Sequence, residues 1–416
     1  MTRTDINVVA AVVAGVLGLG FAGMEARQAA PRIEVLESPV TTSGEAPQLT
    51  VSDKGILLSW IERSGGQASL KFAERTSTGW TPVKTVASGN NWFVNWADVP
   101  SVLRLADGSL VGHWLQKSGA STYAYDVRLS RSKDDGKTWT PSVTPHHDGT
   151  QTEHGFASMF QVPGAGLGLI WLDGRETKPA AGGEGHDGHG TGAMTVRYGT
   201  FDGTWKQTSE MPIDPRVCEC CPTTAAVTSD GLIAAFRNRT DDEVRDIYVS
   251  RFENGKWTEP TAVHNDNWQI AACPVNGPVL SARGRDVVIS WFTGVDDPGR
   301  AYVAFSKDAG RTFSAPIRVD DAATVGRVDV ELMPDGSAMA TWIELVDKKT
   351  EFKVRRIQPS GARGDAVKIA DLVNSRTSGY PRVARHENEL LFVWTEVGPS
   401  TPGARATTRV RTAVAR

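Results

Sequence analysis

The residues of this chain best suited to chemistry are its four cysteines. Cys218, Cys220 and Cys221 stand together in Val-Cys-Glu-Cys-Cys-Pro, and Cys273 stands in Ala-Cys-Pro. In an oxidising compartment such a set pairs as disulfides, with three possible connectivities. Alternatively, Cys-x-Cys presents two soft ligands on one side of an extended segment, and soft thiolates suit Cu(I) or Zn. Both readings can hold in turn, a disulfide in the oxidised protein and a metal in the reduced one. Histidines push toward the metal. His264 precedes Cys273 in His-Asn-Asp-Asn-Trp-Gln-Ile-Ala-Ala-Cys, and His154 follows His146 and His147 in another polar stretch. The Gly-rich stretch 182–190 carries His186 and His189, a spacing that suits a metal able to order the loop; a solvated loop is the plainer reading of the same composition.

Something must position these groups, and the rest of the chain shows what. An apolar run ending in an aromatic recurs at Trp60, Trp114, Trp171, Phe236, Trp291, Trp342 and Trp394, at intervals of 51 to 65 residues. Self-similarity at such a period marks a propeller or solenoid, because one repeat cannot bury its apolar face alone. The runs at 56–60, 287–291 and 390–394 are short, dense in Val, Ile, Leu and aromatics, and bounded by turn residues, so they read as buried strands. No long segment of helical period follows residue 30. The expectation is an all-β propeller of four-stranded blades, seven by the aromatic count and six if one run is a decoy. In the second repeat the strands fall at 100–106, 110–116, 123–130 and 138–143. The seventh repeat lacks a fourth strand after 408–414. Residues 32–38 resemble fourth strands such as 81–87 and are expected to fill that place, closing the ring and covering an open edge.

Propeller geometry sorts the loops. Those joining a fourth strand to the next first strand, and those joining second to third strands, share one face around the channel mouth, where binding sites favour a rigid scaffold. The first class holds 90–98 with Trp92 and Trp96, 146–154, 214–221, 264–273 and 374–382; the second holds 173–192, 237–246 and 293–300. Cys221-Pro222 and Cys273-Pro274 occupy matching places before the first strands of adjacent blades. The thiols should therefore meet at the top of blades four and five, with His264 within reach.

Two third-to-fourth strand turns read Ser132-Lys-Asp134-Asp-Gly136-Lys-Thr138-Trp139 and Ser306-Lys-Asp308-Ala-Gly310-Arg-Thr312-Phe313. Both match Ser-x-Asp-x-Gly-x-Thr-Trp/Phe, in which Asp bonds its own following backbone, Gly supplies the positive φ and the aromatic plugs the hairpin into its sheet. Worn versions occur at 201–205 and 252–257. With the blade pattern, these Asp-boxes make residues 32–416 resemble the sialidase-like BNR propeller superfamily. That resemblance implies a second chemistry, glycoside hydrolysis of sialylated or related acidic glycans. Sialidases of the superfamily hold a substrate carboxylate with three arginines and use a Tyr–Glu nucleophile pair with an Asp acid/base. The positions available for those roles are Arg237, Arg239 and Arg245 in one segment, Asp173 with Arg175, Asp246, and Tyr380 with Arg382 in Gly-Tyr-Pro-Arg. Each also has a structural reading, Tyr380 as a packing residue and the charged groups as ion pairs. The chain departs from the superfamily in its seven blades rather than six, and in Arg32-Ile33-Glu34 where sialidases begin Arg-Ile-Pro.

The net charge of −3 and the lack of any basic run exclude an electrostatic drive toward nucleic acid. Residues 1–30 have the layout of a secretory signal, with Arg3 ahead of an apolar stretch at 8–21 and polar residues at 25–27. The cleavage site is weak, so a membrane tether through residues 8–23 is the alternative, although that stretch is short for a span. The expected organisation is a signal or anchor over 1–30 and a propeller over 31–416, periplasmic or secreted and monomeric. Its ligand at the channel mouth is a small molecule, a metal or a glycan. Three functions remain: a Cys/His site for copper or zinc, a sialidase-like hydrolase, or a glycan- or protein-binding propeller that stacks ligands on Trp92, Trp96 and Trp268. Fold alone does not choose among them.

Overall fold

The computed structural model describes Met1 and residues 30–162, 166–177, 192–295, 298–347, 349–399 and 405–416. The segment 8–23, His186 and His189 lie outside these residues.

The apolar runs become the second strands of seven antiparallel sheets. Gly166–Asp173 is buried along its whole length and Ile56–Ser64 over most of it, as their continuous apolar runs require. The seven inner strands are Gly44–Val51, Ser101–Arg104, His154–Val162, Thr224–Thr228, Val279–Arg283, Thr324–Leu332 and Arg382–His386. Each touches the next, and the last touches the first, so the blades close into a ring. These strands line a central cavity of about 540 Å³.

The packing between blades repeats as regularly as the sequence does. Trp114 of blade two packs with Leu57, Leu70 and Val86 of blade one. Trp171 packs with Val111 and Val127 of blade two, Phe236 with Val196 and Tyr198 of blade three, and Trp291 with Ile233 and Val249 of blade four. Trp342 and Trp394 pack on blades five and six in the same way. Trp60 of blade one completes the circle against Leu391, Val393 and Val410 of blade seven.

Ile33–Leu36 pairs antiparallel with Thr408–Ala415, from Ile33 opposite Ala415 to Leu36 opposite Thr412. The N-terminal strand therefore supplies the outer strand of blade seven. Blade two differs from expectation at its outer edge, where residues 138–143 form no regular strand and meet the third strand through a bridge between Leu129 and Val143 and through the Thr140 amide on the Arg131 carbonyl at 2.9 Å. Pro141 within that stretch and Pro145 just after it cannot donate to a ladder. Side chains add to these contacts: Ser130 Oγ donates to the Thr140 carbonyl and Arg128 to the Ser142 carbonyl.

Both Asp-boxes form the same turn. Asp134 Oδ1 accepts from the Lys137 and Thr138 amides, Oδ2 accepts from the Thr138 hydroxyl, and the Gly136 amide donates to Ser132 Oγ at φ 82°. Asp308 repeats this with Arg311, Thr312, Gly310 and Ser306. These turns follow third strands, whereas the Cys-rich connection precedes a first strand. They therefore lie at opposite ends of their blades, and the boxes are structural.

Two stability predictions follow from this architecture. Trp342→Ala should cost about 3–5 kcal/mol, read from denaturant unfolding. Removing residues 30–38 should lower the thermal midpoint and promote association through the bared edge of Thr408–Ala415, read by calorimetry and light scattering; an unchanged midpoint would mean that closure does not depend on this strand.

Candidate functional site

The connection from blade three to blade four carries the cysteines and is tied down by backbone. Val217 bridges to Asn238, and the Cys218 amide donates to the Arg237 carbonyl at 2.9 Å, so the chain crosses the end of blade four's second strand, Gly231–Arg237. Cys218, Cys220 and Cys221 are consequently buried together. The Cys218 sulfur lies 3.7 Å from that of Cys220 and 3.3 Å from that of Cys221, and all three lie within 4.8 Å of one another. Cys273 packs against the group and contacts Cys220. No disulfide joins the four cysteines.

Cations surround these sulfurs. Arg245 donates to Cys218 Sγ at 3.3 Å and also pairs with Glu219 and Glu243. Arg239 pairs with the same two carboxylates. Arg237 is fully buried, donates to the Asn276 and Phe292 carbonyls, and stacks over Trp268 at 5.1 Å. Burial pushes the Cys218 thiol up to about 11 and Cys220 well above its ordinary value. Burial opposes ionisation of Cys221 as well, but hydrogen bonds from Cys218 and Cys220, the Arg237 charge and the Asn276 amide together hold it well below the ordinary thiol range. The surroundings thus favour the thiolate at Cys221 and the thiol at Cys218 and Cys220.

The structure sends the other expected residues elsewhere. His264 is not among the clustered ligand atoms; its half-exposed ring faces Asp266 at 3.9 Å. The cause is Asp246, whose buried carboxylate accepts from the Asn267 and Trp268 amides and turns that loop so that His264 points outward. His154 opens the inner strand of blade three but stacks on His146, among Asp126, Asp148 and Asp173, apart from the thiols. Arg175 pairs with Asp173, Asp148 and Glu210, and Asp173 is fully buried under Arg175 and Trp171. Tyr380 is a buried packing residue, stacked on Trp96 with its hydroxyl given to the Val275 carbonyl, and Arg382 lies over its ring. Of the arginines named from sequence, Arg237, Arg239 and Arg245 gather around the thiols, while Arg175 is held by its carboxylates and Arg382 lies over the Tyr380 ring.

A triad absent from the sequence reading lies nearby. The Tyr125 hydroxyl, fully buried, lies 2.7 Å from a Glu153 carboxylate oxygen and 3.0 Å from one of Asp98, with a single proton to donate between them. Asp98 also accepts from the Phe156 amide at 2.8 Å. Its only sequence signal is position, since Asp98 closes a channel-mouth loop and Tyr125 opens a third strand.

No known protein-family model matches the chain, and no curated protein sequence does. Among solved structures the chain resembles the endosialidase of phage phi92, at 11% identity and a TM-score of 0.52 over 93% of this chain and 69% of that one. It also aligns with a protein of unknown function from Dyadobacter fermentans, at 13% identity and 0.49 over 92% and 97% of the two chains. A third similarity is to the GH93 α-L-arabinofuranosidase of Fusarium graminearum, at 15% and 0.48 over 79% and 95%. The fold is that of the sialidase-like propellers. At these identities the likeness is one of fold, and the activity must be argued from the site.

Burial, with the Glu153 charge adding to it, pushes the Asp98 carboxyl up to about 7. An unfolded Asp titrates near about 4, so between these values the folded protein binds the extra proton. The stability this group contributes is fully present below about pH 4 and is lost as pH rises through about 7. Asp98→Asn removes the ionisation, so the melting temperature of the variant relative to wild type should climb from about pH 5 to pH 8; a difference that stays flat in calorimetry would contradict this.

Proposed function

We propose that this protein is an exported β-propeller whose channel-mouth site holds a soft transition metal, copper in preference to zinc, on Cys218, Cys220 and Cys221 with Cys273 beside them. The observation that carries this reading is the mutual approach of three buried sulfurs. Metal–sulfur bonds of about 2.3 Å in tetrahedral geometry place sulfurs about 3.7–3.8 Å apart, which the Cys218–Cys220 separation of 3.7 Å matches. The Cys218–Cys221 separation of 3.3 Å is somewhat tighter, yet well beyond the roughly 2.05 Å of a disulfide. Charge supports the same reading. Three thiolates around a monovalent ion leave excess negative charge, and the cluster sits among Arg237, Arg239 and Arg245, the last two paired with Glu219 and Glu243. Soft ligands select Cu(I) over harder ions. Burial favours the thiol forms of Cys218 and Cys220, so metal uptake should release protons and affinity should rise with pH.

Export is read from the N-terminal segment, and it sets the redox context. When metal is absent, Cys218 and Cys221, with sulfurs 3.3 Å apart, are the pair placed to form a disulfide by giving up two electrons and two protons to an external oxidant of that compartment. The hydrolase reading has the fold and the Tyr125–Glu153–Asp98 group in its favour, but Arg175, Arg237, Arg239 and Arg245 are committed to other partners, and of the arginines named for it Arg382 alone lines the central cavity.

The reduced protein should take up one equivalent of Cu(I) in competition with a chromophoric chelator, and Cys220→Ser/Cys221→Ser should abolish it. Uptake unchanged in that variant, or no uptake by the reduced wild type, would end the proposal. Turnover of a fluorogenic sialoside is expected to be absent; turnover that Arg237→Ala removes would reverse the ranking in favour of hydrolysis.

A further inference from the structure

A second group of ligand-type side chains lies where blade two meets blade three. Asp126 belongs to the third strand of blade two, Tyr125–Ser132, and His154 opens the inner strand of blade three. The connection between those strands supplies His146 and Asp148. The two imidazoles stack face to face, with centroids 3.7 Å apart and planes 3° from parallel. Each turns one nitrogen to the same carboxylate oxygen: His154 Nε2 lies 3.2 Å and His146 Nδ1 3.4 Å from Asp148 Oδ2. Asp148 is itself fixed by the Thr150 amide at 2.9 Å and by Arg175 at 3.5 Å. Placing the ring protons on the nitrogens that face Asp148 leaves His146 Nε2 and His154 Nδ1 as lone-pair atoms.

Those two atoms have no hydrogen-bond partner, although the His154 side chain is 0% exposed and that of His146 6%. Both face Asp126 Oδ1, at 3.9 Å from His146 and 3.7 Å from His154. Such gaps are too long for hydrogen bonds, and the three ligand atoms lie within 4.8 Å of one another. A buried polar atom without a partner costs free energy. Here two are aimed at one carboxylate, and a cation between them would satisfy all three.

We propose that Asp126, His146 and His154 form a binding site for a divalent first-row transition metal, with Asp148 as the carboxylate that orients both imidazoles. Two nitrogens and one oxygen suit Zn(II), Fe(II) or Mn(II) rather than Cu(I), so this site is chemically distinct from the thiol cluster and shares no ligand with it. Bonds of about 2.0–2.2 Å require the rings to rotate out of parallel and Asp126 to move inward. Asp126 is partly exposed, which leaves the ion a coordination position open toward solvent. An Asp–His–metal relay of this kind raises ligand basicity and fixes the tautomer.

Co(II) is the probe, because thiolate ligands add an intense charge-transfer band while imidazole and carboxylate ligands give only weak d–d bands. The full-length Cys220→Ser/Cys221→Ser protein, stripped of metal, should bind one equivalent of Co(II) with d–d bands alone, and Zn(II) should displace it and raise the melting temperature. In that background Asp126→Asn and His146→Gln should each weaken binding by about tenfold or more, and Asp148→Asn by roughly 10–100-fold. Circular dichroism and the metal-free melting temperature report folding. Should His146→Gln fail to fold, the isosteric Asp126→Asn at its partly exposed position decides alone. Absence of stoichiometric Co(II) binding in the Cys variant, or affinity unchanged by Asp126→Asn, would overturn the proposal while leaving the thiol site untouched. Loss of Cu(I) uptake by the Cys variant with Co(II) binding intact would support both sites independently.

Discussion

One contact, made seven times, holds this molecule in shape: the aromatic of each second strand packed into the blade before it. A buried Trp or Phe removes about 150–250 Å² from water, worth on the order of 4–6 kcal/mol gross. Because Trp60 makes this contact across the junction of blades seven and one, the series has no end, and the inner strands are locked into a ring. The outer pairing of Ile33–Leu36 with Thr408–Ala415 ties the two ends of the described propeller to the same junction.

A locked ring makes the loops at its mouth precise without requiring them to be regular. The connection into blade four is held by the Cys218 amide on the Arg237 carbonyl and by the Val217–Asn238 bridge, so the sulfurs meet because the backbone allows them little else. The connection into blade three likewise delivers His146 and Asp148 to His154, the first residue of an inner strand. A soft donor set and a harder one thus arise at neighbouring blade junctions of one face, from the same construction with different residue types.

Most of the arginines at this face are committed to partners within the protein. Arg175, Arg239 and Arg245 are spent on buried carboxylates and on Cys218, and Arg237 on backbone carbonyls and the Trp268 ring. Arg327 lies over Trp96 and donates to the Ser375 and Gly379 carbonyls. A guanidinium so committed has few donors left for a substrate. The fold shared with glycosidases therefore supplies a scaffold here, and the chemistry depends on which side chains its loops present.

How much of this was legible in the chain depends on the range of the interactions concerned. Strand periodicity, the Asp-box turns and the fourth-strand character of residues 32–38 are carried by residues a few positions apart, so blade number and ring closure could be read directly. The meeting of the cysteines was legible for a related reason: two Cys-Pro steps occupy equivalent places in adjacent repeats, and repeat symmetry converts equal position into proximity. The sequence by itself therefore determined the propeller, its closure and the face that carries the thiols. It did not determine where individual imidazoles and guanidiniums point. Asp246 catches the amides of Asn267 and Trp268 and swings His264 away from the sulfurs, and Asp148 gathers His146 and His154 into a cluster of their own. Those outcomes were decided by tertiary structure alone, because a loop side chain takes its direction from partners in other elements, and such partners leave no periodic trace in the chain.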